Sequence, residues 1–124
     1  GIISNAQFYT PYLFQWFLNA NLQELGFHSD LQFFSFQMGV AKPSMVMFEA
    51  ACQQLDKMSI PPGAALYVGN DMLNDMLPGY KTGLQTALFA GDRRSLRLRA
   101  NHPDCANLKP DLIITDLADI LNYI

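Results

Sequence analysis

Charged residues are scarce in this sequence: they make up 15% of its 124 residues, while 50% of the residues are hydrophobic. A chain of this composition is typical of a globular protein and not of a disordered one. Basic residues are not in excess either, because the formal net charge is −3. Since nucleic-acid binding proteins carry basic surfaces, no nucleic-acid partner is expected. The four arginines between residues 93 and 99 are interpreted as part of a solvated loop or short helix.

Cysteines and long apolar runs are also few. The two cysteines, Cys52 and Cys105, lie far apart, so neither a zinc site nor a disulfide framework is indicated. Reduced thiols favour a cytoplasmic location. No run approaches the roughly 18 apolar residues of a membrane span, so no membrane partner is expected. No signal peptide is visible. The chain begins at Gly1 inside an apolar run, which suggests either a fragment or a processed chain.

Short apolar runs alternate with helical patterns along the whole chain. The runs predict a strand that ends at Ser4 and Asn5, and further strands at residues 33–36, 65–68, 85–89 and 111–114. Helices are predicted from Thr10 to Gly26, from residue 43 or 44 to 58, and from 117 to 123. Strands and helices that alternate in this way predict one α/β domain over residues 1–124, with a parallel sheet and right-handed crossovers.

An acidic turn follows the third predicted strand. Gly69 ends the apolar run, and Asn70, Asp71, Asn74 and Asp75 come within the next six residues. Two carboxylates four residues apart have the oxygen ligands that a hard cation prefers. The alternative is that the turn is only structural, with Asp75 capping a short helix.

Polar groups also follow the first two strands. Ser4 and Asn5 end the first strand, and Lys42 comes shortly after the second. Because parallel strands point their carboxyl ends the same way, we expect these groups to converge with the acidic turn on one crevice. A hydroxyl, an ammonium and two carboxylates are a coherent set for phosphoryl transfer. Alternatively, Ser4 is a helix cap and Lys42 a surface lysine.

Three segments together resemble a known family. Residues 1–5 (GIISN), 39–43 (GVAKP) and 66–75 (LYVGNDMLND) are similar to the second, third and fourth motifs of the haloacid dehalogenase (HAD) superfamily. The resemblance implies a Rossmann-like parallel sheet with flanking helices. It also implies Mg²⁺-dependent hydrolysis of phosphate esters through an aspartyl-phosphate intermediate.

The same resemblance implies roles for individual residues. Ser4 would bind a phosphoryl oxygen with Asn5 beside it, and Lys42 would stabilise the nucleophile and the transferring group. Asp71 and Asp75 would serve the metal site. The family pattern has Asp directly after the glycine of the fourth motif, whereas this chain has Asn70 and then Asp71. Asn70 is therefore the alternative ligand, and Asp71 is favoured because a carboxylate is the better ligand for a hard cation.

The first motif of the family is absent. That motif, Asp-x-Asp, supplies the nucleophile and the general acid, and no Asp-x-Asp occurs in this sequence. In the family, its strand lies centrally, and the cap domain commonly belongs to the same region. We therefore expect an incomplete HAD-like core that is inactive alone and binds magnesium weakly. Its two strands beside the gap would be completed by the missing amino-terminal segment or by self-association.

Other functions stay open at this point. The expected substrate of the complete enzyme is a small phosphorylated metabolite, although the family also contains dehalogenases and phosphonatases. A truncated or degenerate member would instead act as a non-catalytic interaction module through the aromatic-rich segment from Phe8 to Phe17. A receiver-type or nucleotide-binding α/β domain is a weaker alternative, because the sequence has no Gly-x-Gly-x-x-Gly or Walker-type loop.

Overall fold

A computed structural model describes residues 1–123 and divides into two compact units, Gly1–Ser59 and a second unit that begins at Ile60. Each unit carries its own sheet, and all the strand pairs are parallel. The prediction of a parallel α/β fold with flanking helices is therefore confirmed. That these residues form a single domain stays a prediction.

The first unit is a two-stranded sheet with three α-helices and a 3₁₀ helix (Ser29–Leu31). Its elements are β1 (Ile2–Ser4), α1 (Thr10–Leu18), β2 (Gln32–Phe34), α2 (Ser35–Met38) and α3 (Val46–Lys57). Strands β1 and β2 pair with Ile3 opposite Phe33. Helix α3 packs its Met47, Phe48, Ala51 and Leu55 side chains into the core. Val46 and Met58, at the two ends of this helix, are exposed.

The first helix is eight residues shorter than predicted. It ends at Leu18 because Asn19 adopts the left-handed conformation (φ 51°), which an α-helix cannot continue. A separate turn follows, in which the Asn21 and Glu24 side chains each accept a hydrogen bond from the other residue's main-chain N–H. Gly26 (φ 88°) closes this second turn and not the helix. The start of the helix was predicted correctly, since Thr10 is its first residue and Tyr9 is its N-cap.

Two further boundaries differ from the sequence prediction. The second strand ends at Phe34, and residues 35–38 turn into α2, because the Ser35 hydroxyl bonds the main chain of Ala6 and bends the chain there. Helix α3 begins at Val46, two or three residues later than expected.

The second unit is a three-stranded sheet in the order β3 (Leu66–Gly69), β4 (Gln85–Phe89) and β5 (Leu112–Ile114). A π-helical turn (Met72–Met76) leads from β3 directly into α4 (Leu77–Lys81). A 3₁₀ segment (Leu117–Asn122) ends the described chain where an α-helix was predicted, with Asp116 as its cap. The core cluster packs Met72, Met76, Leu88 and Cys105 together.

A side-chain clip fixes β5 beside β4. The Oδ2 atom of Asp111 accepts hydrogen bonds from the main-chain N–H and the hydroxyl of Thr86, at 2.7 and 2.9 Å. The Thr86 hydroxyl oxygen accepts in turn from the Asp111 N–H at 3.2 Å. Thr86 is buried, so these bonds satisfy a hydroxyl that would otherwise be costly in the core.

Each sheet has one strand at an open edge where the resemblance places a neighbour. Within residues 1–123, β1 pairs only with β2, and β3 pairs only with β4. The expectation of an incomplete sheet is thereby confirmed for each unit. None of the helices in this described range is both long and apolar enough to cross a membrane.

Candidate functional site

The Asn5 side chain ties the end of β1 to Lys42. Its Oδ1 atom accepts a hydrogen bond from the Lys42 N–H at 2.7 Å, and its Nδ2 atom donates to the Lys42 carbonyl at 3.2 Å. The amide thus holds both main-chain polar groups of a residue 37 positions away in sequence. The structure thus brings the predicted residues Asn5 and Lys42 together. Ser4, the last residue of β1, directly precedes Asn5.

A second contact orders the loop beyond Asn5. The Ser35 hydroxyl donates to the Ala6 carbonyl at 3.1 Å and accepts from the Ala6 N–H at 2.9 Å. Ser35 was missed in the sequence because residues 33–36 were all assigned to a strand. With β2 ending at Phe34, Ser35 is a polar residue directly after a strand, which is the pattern that identified the other candidate site residues.

In the second unit, Asp75 is folded back onto the end of β3. Its carboxylate is 3% exposed, and its Oδ2 atom accepts from the N–H groups of Asn70 and Asp71 at 3.0 and 3.1 Å. The Tyr67 hydroxyl donates to its Oδ1 atom at 3.2 Å. Burial raises the pKa of Tyr67, and the adjacent Asp75 carboxylate raises it further, so the phenol remains a donor. Sequence reasoning missed Tyr67, which looks like any apolar strand residue.

Gly69 makes this fold-back possible. A Cβ atom built on Gly69 would lie 2.6 Å from Asp75 Oδ2 and closer still to the Cβ and Cγ atoms of Asp75. The hydrogen atoms of glycine leave the space that the carboxylate occupies. The glycine at the end of β3 is therefore required by a close approach and not by an unusual φ.

Asp71 caps the helical turn that follows β3. Its Oδ1 atom accepts from the N–H groups of Leu73 and Asn74 at 2.9 and 3.2 Å, and its Oδ2 atom accepts from Asn74 Nδ2 at 3.0 Å. A capping role had been considered for Asp75, but Asp71 is the residue that fills it. Leu73 and Asn74 are thereby fixed as the first turn beyond β3.

Arg99 binds the same carboxylate. Its Nε atom donates to Asp71 Oδ1 at 3.1 Å, and a terminal nitrogen donates to Oδ2 at 2.6 Å. Burial alone would raise the pKa of Asp71, but the bonds from Arg99 and from the Asn74 and Leu73 amides outweigh it and lower the pKa. Nothing in the sequence indicated this pairing, since Arg99 lies 28 residues from Asp71.

The lowered pKa of Asp71 predicts a loss of stability in acid. A carboxyl group ionises in an unfolded chain with a pKa of about 3.9. Because the folded pKa is lower, the ionised Asp71 stabilises the fold above about pH 4, and this stabilisation is lost as pH falls through the folded value. We expect Asp71→Asn to lower the free energy of unfolding at pH 7 by about 1–3 kcal/mol. The difference from wild type should shrink as pH falls below the unfolded-state value of about 3.9 and on through the lower folded-state value.

Urea unfolding between pH 7 and pH 2.5 measures this effect. Asp56→Asn is the matched control, because Asp56 is exposed on α3 and its side chain makes no hydrogen bond or ion pair among residues 1–123. The control should follow the wild-type pH dependence. Equal pH dependence in Asp71→Asn and wild type would contradict the role assigned to the ion pair.

The oxygens at the end of β3 fit a hard cation only in part. Both Asp71 oxygens are engaged by the cap and by Arg99, so Asp71 fits as a direct ligand only with Arg99 displaced. The Asp75 oxygens are engaged as well, by the Asn70 and Asp71 N–H groups and by the Tyr67 hydroxyl, so Asp75 fits as a direct ligand only with those bonds rearranged. The Asn70 Nδ2 atom donates to the Ser95 carbonyl at 2.9 Å, so the amide oxygen of Asn70 takes no part in that bond. The amide oxygen of Asn70 is a donor of the type that Mg²⁺ prefers. Across residues 1–123, no group of three or more His, Cys, Asp or Glu side chains is placed to hold a metal.

The predicted site residues are divided between the units. Ser4, Asn5 and Lys42 lie in the first, and Asn70 to Asp75 lie in the second. Their convergence on one crevice stays a prediction. A cavity of about 360 Å³ in the second unit lies elsewhere, between α4 and residues 103–109, and none of these predicted residues lines it.

One protein family matches most of this chain, and solved structures of similar fold are found as well. The HAD-hydrolase-like family model matches residues 39–120. Among solved structures, the HAD-hydrolase YfnB of Bacillus subtilis, determined bound to magnesium, superposes with a TM-score of 0.71 at 20% identity, over 98% of this chain and 47% of that one. The 2-haloacid dehalogenase of Pseudomonas syringae pv. Tomato DC3000 gives 0.55 at 20% identity, over 84% and 41%. No protein of curated function matches the sequence. The chain thus spans about half the length of the structures that it resembles.

Proposed function

Because this chain belongs to the HAD-hydrolase-like family, we propose that it forms part of a magnesium-dependent phosphatase acting on a small phosphorylated metabolite in the cytoplasm. The observation that carries the proposal is the pair of hydrogen bonds by which Asn5 holds Lys42 at the end of β1. This arrangement supports an ammonium group beside the Ser4 hydroxyl, where a phosphoryl group needs both charge and hydrogen bonds.

The three candidate site residues of the first unit have distinct roles in this proposal. The Ser4 hydroxyl donates a hydrogen bond to a phosphoryl oxygen. The Lys42 ammonium stabilises the negative charge that builds up on the nucleophile and on the transferring group. Asn5 lies beside the phosphate and acts chiefly by holding the Lys42 main chain in place.

The nucleophile in this proposal lies outside the 124 residues. A carboxylate oxygen of an Asp-x-Asp segment attacks phosphorus, the bond from phosphorus to the ester oxygen breaks, and the leaving alcohol takes a proton from the second Asp. Water then hydrolyses the aspartyl-phosphate and releases inorganic phosphate. Asp75 and either Asn70 or Asp71 would contribute oxygen ligands to magnesium, whose charge offsets that of the phosphoryl group.

The same upstream segment supplies the missing strand. Both β1 and β3 lie at an edge of their sheets within residues 1–123, and edge strands of this kind can accept a further strand. The matched structures are about twice as long as this chain, which supports a strand from the remainder of such a fold as the occupant. Self-association through the open edges is the alternative.

Replacing Lys42 tests the proposed chemistry. In an upstream-extended version of the chain, Lys42→Gln should lower kcat for p-nitrophenyl phosphate by about 10²-fold, because one transition-state contact is lost. Lys57→Gln is the control, since Lys57 lies exposed at the end of α3, and its activity should stay within about twofold of wild type. A Lys42→Gln enzyme that retains wild-type kcat would overturn the role of Lys42. The same assay with a 2-haloacid separates a phosphatase from a dehalogenase.

The exposed aromatic residues near α1 favour a second candidate function. Phe8, Tyr12, Trp16 and Phe17 are all exposed, with Phe17 at 79% and Trp16 at 72%. A surface of this kind is typical of a contact with another protein. The candidate is a non-catalytic interaction module, and the upstream sequence discriminates: an Asp-x-Asp after an apolar strand supports the enzyme, and its absence supports the module.

A further inference from the structure

Half of the cationic side chains of this protein lie in one seven-residue stretch. Of the eight lysines and arginines, four are the arginines at positions 93, 94, 97 and 99, which we call the arginine segment. The rest of the chain is acidic enough to give a net charge of −3. A local concentration of positive charge on an acidic protein focuses the electrostatic field towards anions.

The arginine segment is fixed at the strand ends of the second unit. It follows β4, and the Arg97 N–H donates to the Asn70 carbonyl while the Met72 N–H donates to the Arg97 carbonyl, both at 2.9 Å. The Asn70 side chain also bonds the Ser95 carbonyl at 2.9 Å. The segment is therefore attached to the residues that directly follow β3. This is the edge of a parallel sheet at which ligands bind.

Two of the four arginines are used inside the protein. Arg99 pairs with Asp71, and Arg97 donates to the carbonyls of Arg94 and Leu96 at 2.7 and 3.0 Å. The guanidinium groups of Arg93 and Arg94 have no hydrogen bond or ion pair with any other residue in the 1–123 range, and both residues are exposed. Internal structure thus accounts for Arg97 and Arg99 but leaves the charges of Arg93 and Arg94 without a protein partner.

The turn that presents Arg93 and Arg94 is closed by hydrogen bonds. Asp92, the acidic residue of this turn, accepts a hydrogen bond from the Arg94 N–H at 3.0 Å, so its carboxylate is engaged in the turn itself. The Ser95 and Leu96 N–H groups close the turn by donating to the Asp92 carbonyl. A fixed backbone reduces the conformational entropy lost when a ligand is bound.

We propose that Arg93 and Arg94 bind a second anionic group of the substrate, a phosphate or a carboxylate beyond the phosphoryl group that reacts. Guanidinium groups match the geometry of both anions and form charge-assisted hydrogen bonds with them. This inference rests on the proposed phosphatase function. It narrows the substrate class to phosphate esters that carry a further negative charge.

Calorimetric titration of the 124-residue chain tests the proposal without turnover or magnesium. We expect fructose 1,6-bisphosphate to bind at least about tenfold more tightly than fructose 6-phosphate, since one added charge-assisted contact of this kind is worth about tenfold in affinity. In Arg93→Gln/Arg94→Gln, this ratio should fall to about one. Arg93→Lys/Arg94→Lys should retain an intermediate preference, because the charge remains and the bidentate geometry is lost.

The control removes the same charge elsewhere. Lys57→Gln/Lys109→Gln should keep the wild-type ratio, and circular dichroism establishes that both double variants are folded. 3-Phosphoglycerate against glycerol 3-phosphate repeats the comparison with a carboxylate as the second group. A preference with either pair that is lost in Arg93→Gln/Arg94→Gln and kept in Lys57→Gln/Lys109→Gln supports the proposal. A ratio of one with both pairs in wild type, or an equal loss in the two double variants, overturns it. Because binding is measured without hydrolysis, a failure of the phosphatase assay leaves this result unaffected.

Discussion

The 124-residue chain is expected to hydrolyse no phosphate ester above background, whereas an upstream-extended version with an Asp-x-Asp strand is expected to turn over. The physical reason is that the chain has no Asp-x-Asp to attack phosphorus and protonate the leaving group. Loss of a covalent nucleophile lowers kcat by about 10⁴-fold or more. The positioning of Lys42 by Asn5 cannot compensate, because it stabilises charge that only a nucleophile generates.

The measurement is release of p-nitrophenol from p-nitrophenyl phosphate across a range of magnesium concentrations. A cooperative urea transition of the short chain shows that any inactivity does not come from unfolding. In the extended version, replacing the first Asp of the upstream motif with Asn should return the rate to that of the short chain. Turnover by the short chain itself would mean that the nucleophile lies within these residues, and would refute the proposed division of the active site.

Strand positions were predicted well because their signal is local. The fourth strand was predicted residue for residue at 85–89. The observed β3 is shifted by one residue from the predicted range 65–68, and the observed β5 is one residue shorter than the predicted range 111–114. An apolar run bounded by polar or glycine residues fixes a buried strand without reference to the rest of the chain. Helix boundaries failed where a competing local contact decided them. The left-handed Asn19 ended α1 although the apolar spacing continued, and the bond from Ser35 to Ala6 ended β2 early.

The acidic turn shows what sequence reasoning could find and what it could not. The position of Asp71 and Asp75 after a buried strand was visible in the sequence, and the structure places both at the end of β3. Their separate tasks were not visible, because they depend on contacts made across the fold. Arg99 reaches Asp71 from 28 residues away, and Tyr67 reaches Asp75 from the preceding strand. The two carboxylates looked equivalent in the sequence, but Asp71 caps a helical turn and pairs with Arg99, whereas Asp75 accepts hydrogen bonds from the main chain at the end of β3.

Gly69→Ala is expected to lower the free energy of unfolding by about 3–5 kcal/mol. The new methyl group would overlap the Asp75 side chain, whose Oδ2 atom lies 2.6 Å from the Cβ position. Overpacking of this kind costs about 1–3 kcal/mol. Moving the carboxylate away also breaks its bonds to the Asn70 and Asp71 N–H groups, and a hydrogen bond to a charged group is worth about 1.5–3 kcal/mol. Urea unfolding at pH 7 measures the total.

Gly63→Ala is the matched control for this substitution. The nearest atom to a Cβ at Gly63 is the Gly83 carbonyl oxygen at 3.9 Å, an ordinary contact distance. Gly63→Ala should therefore change stability by less than about 1 kcal/mol and in the stabilising direction, because alanine restricts the unfolded chain. Amide NMR shifts separate the cause from a general loss of packing. In Gly69→Ala, the Asn70 and Asp71 N–H signals should move as their bonds to Asp75 are lost. If both signals stay in place while stability falls, the cost comes from the strand itself, and the assigned role of Gly69 in seating Asp75 is wrong.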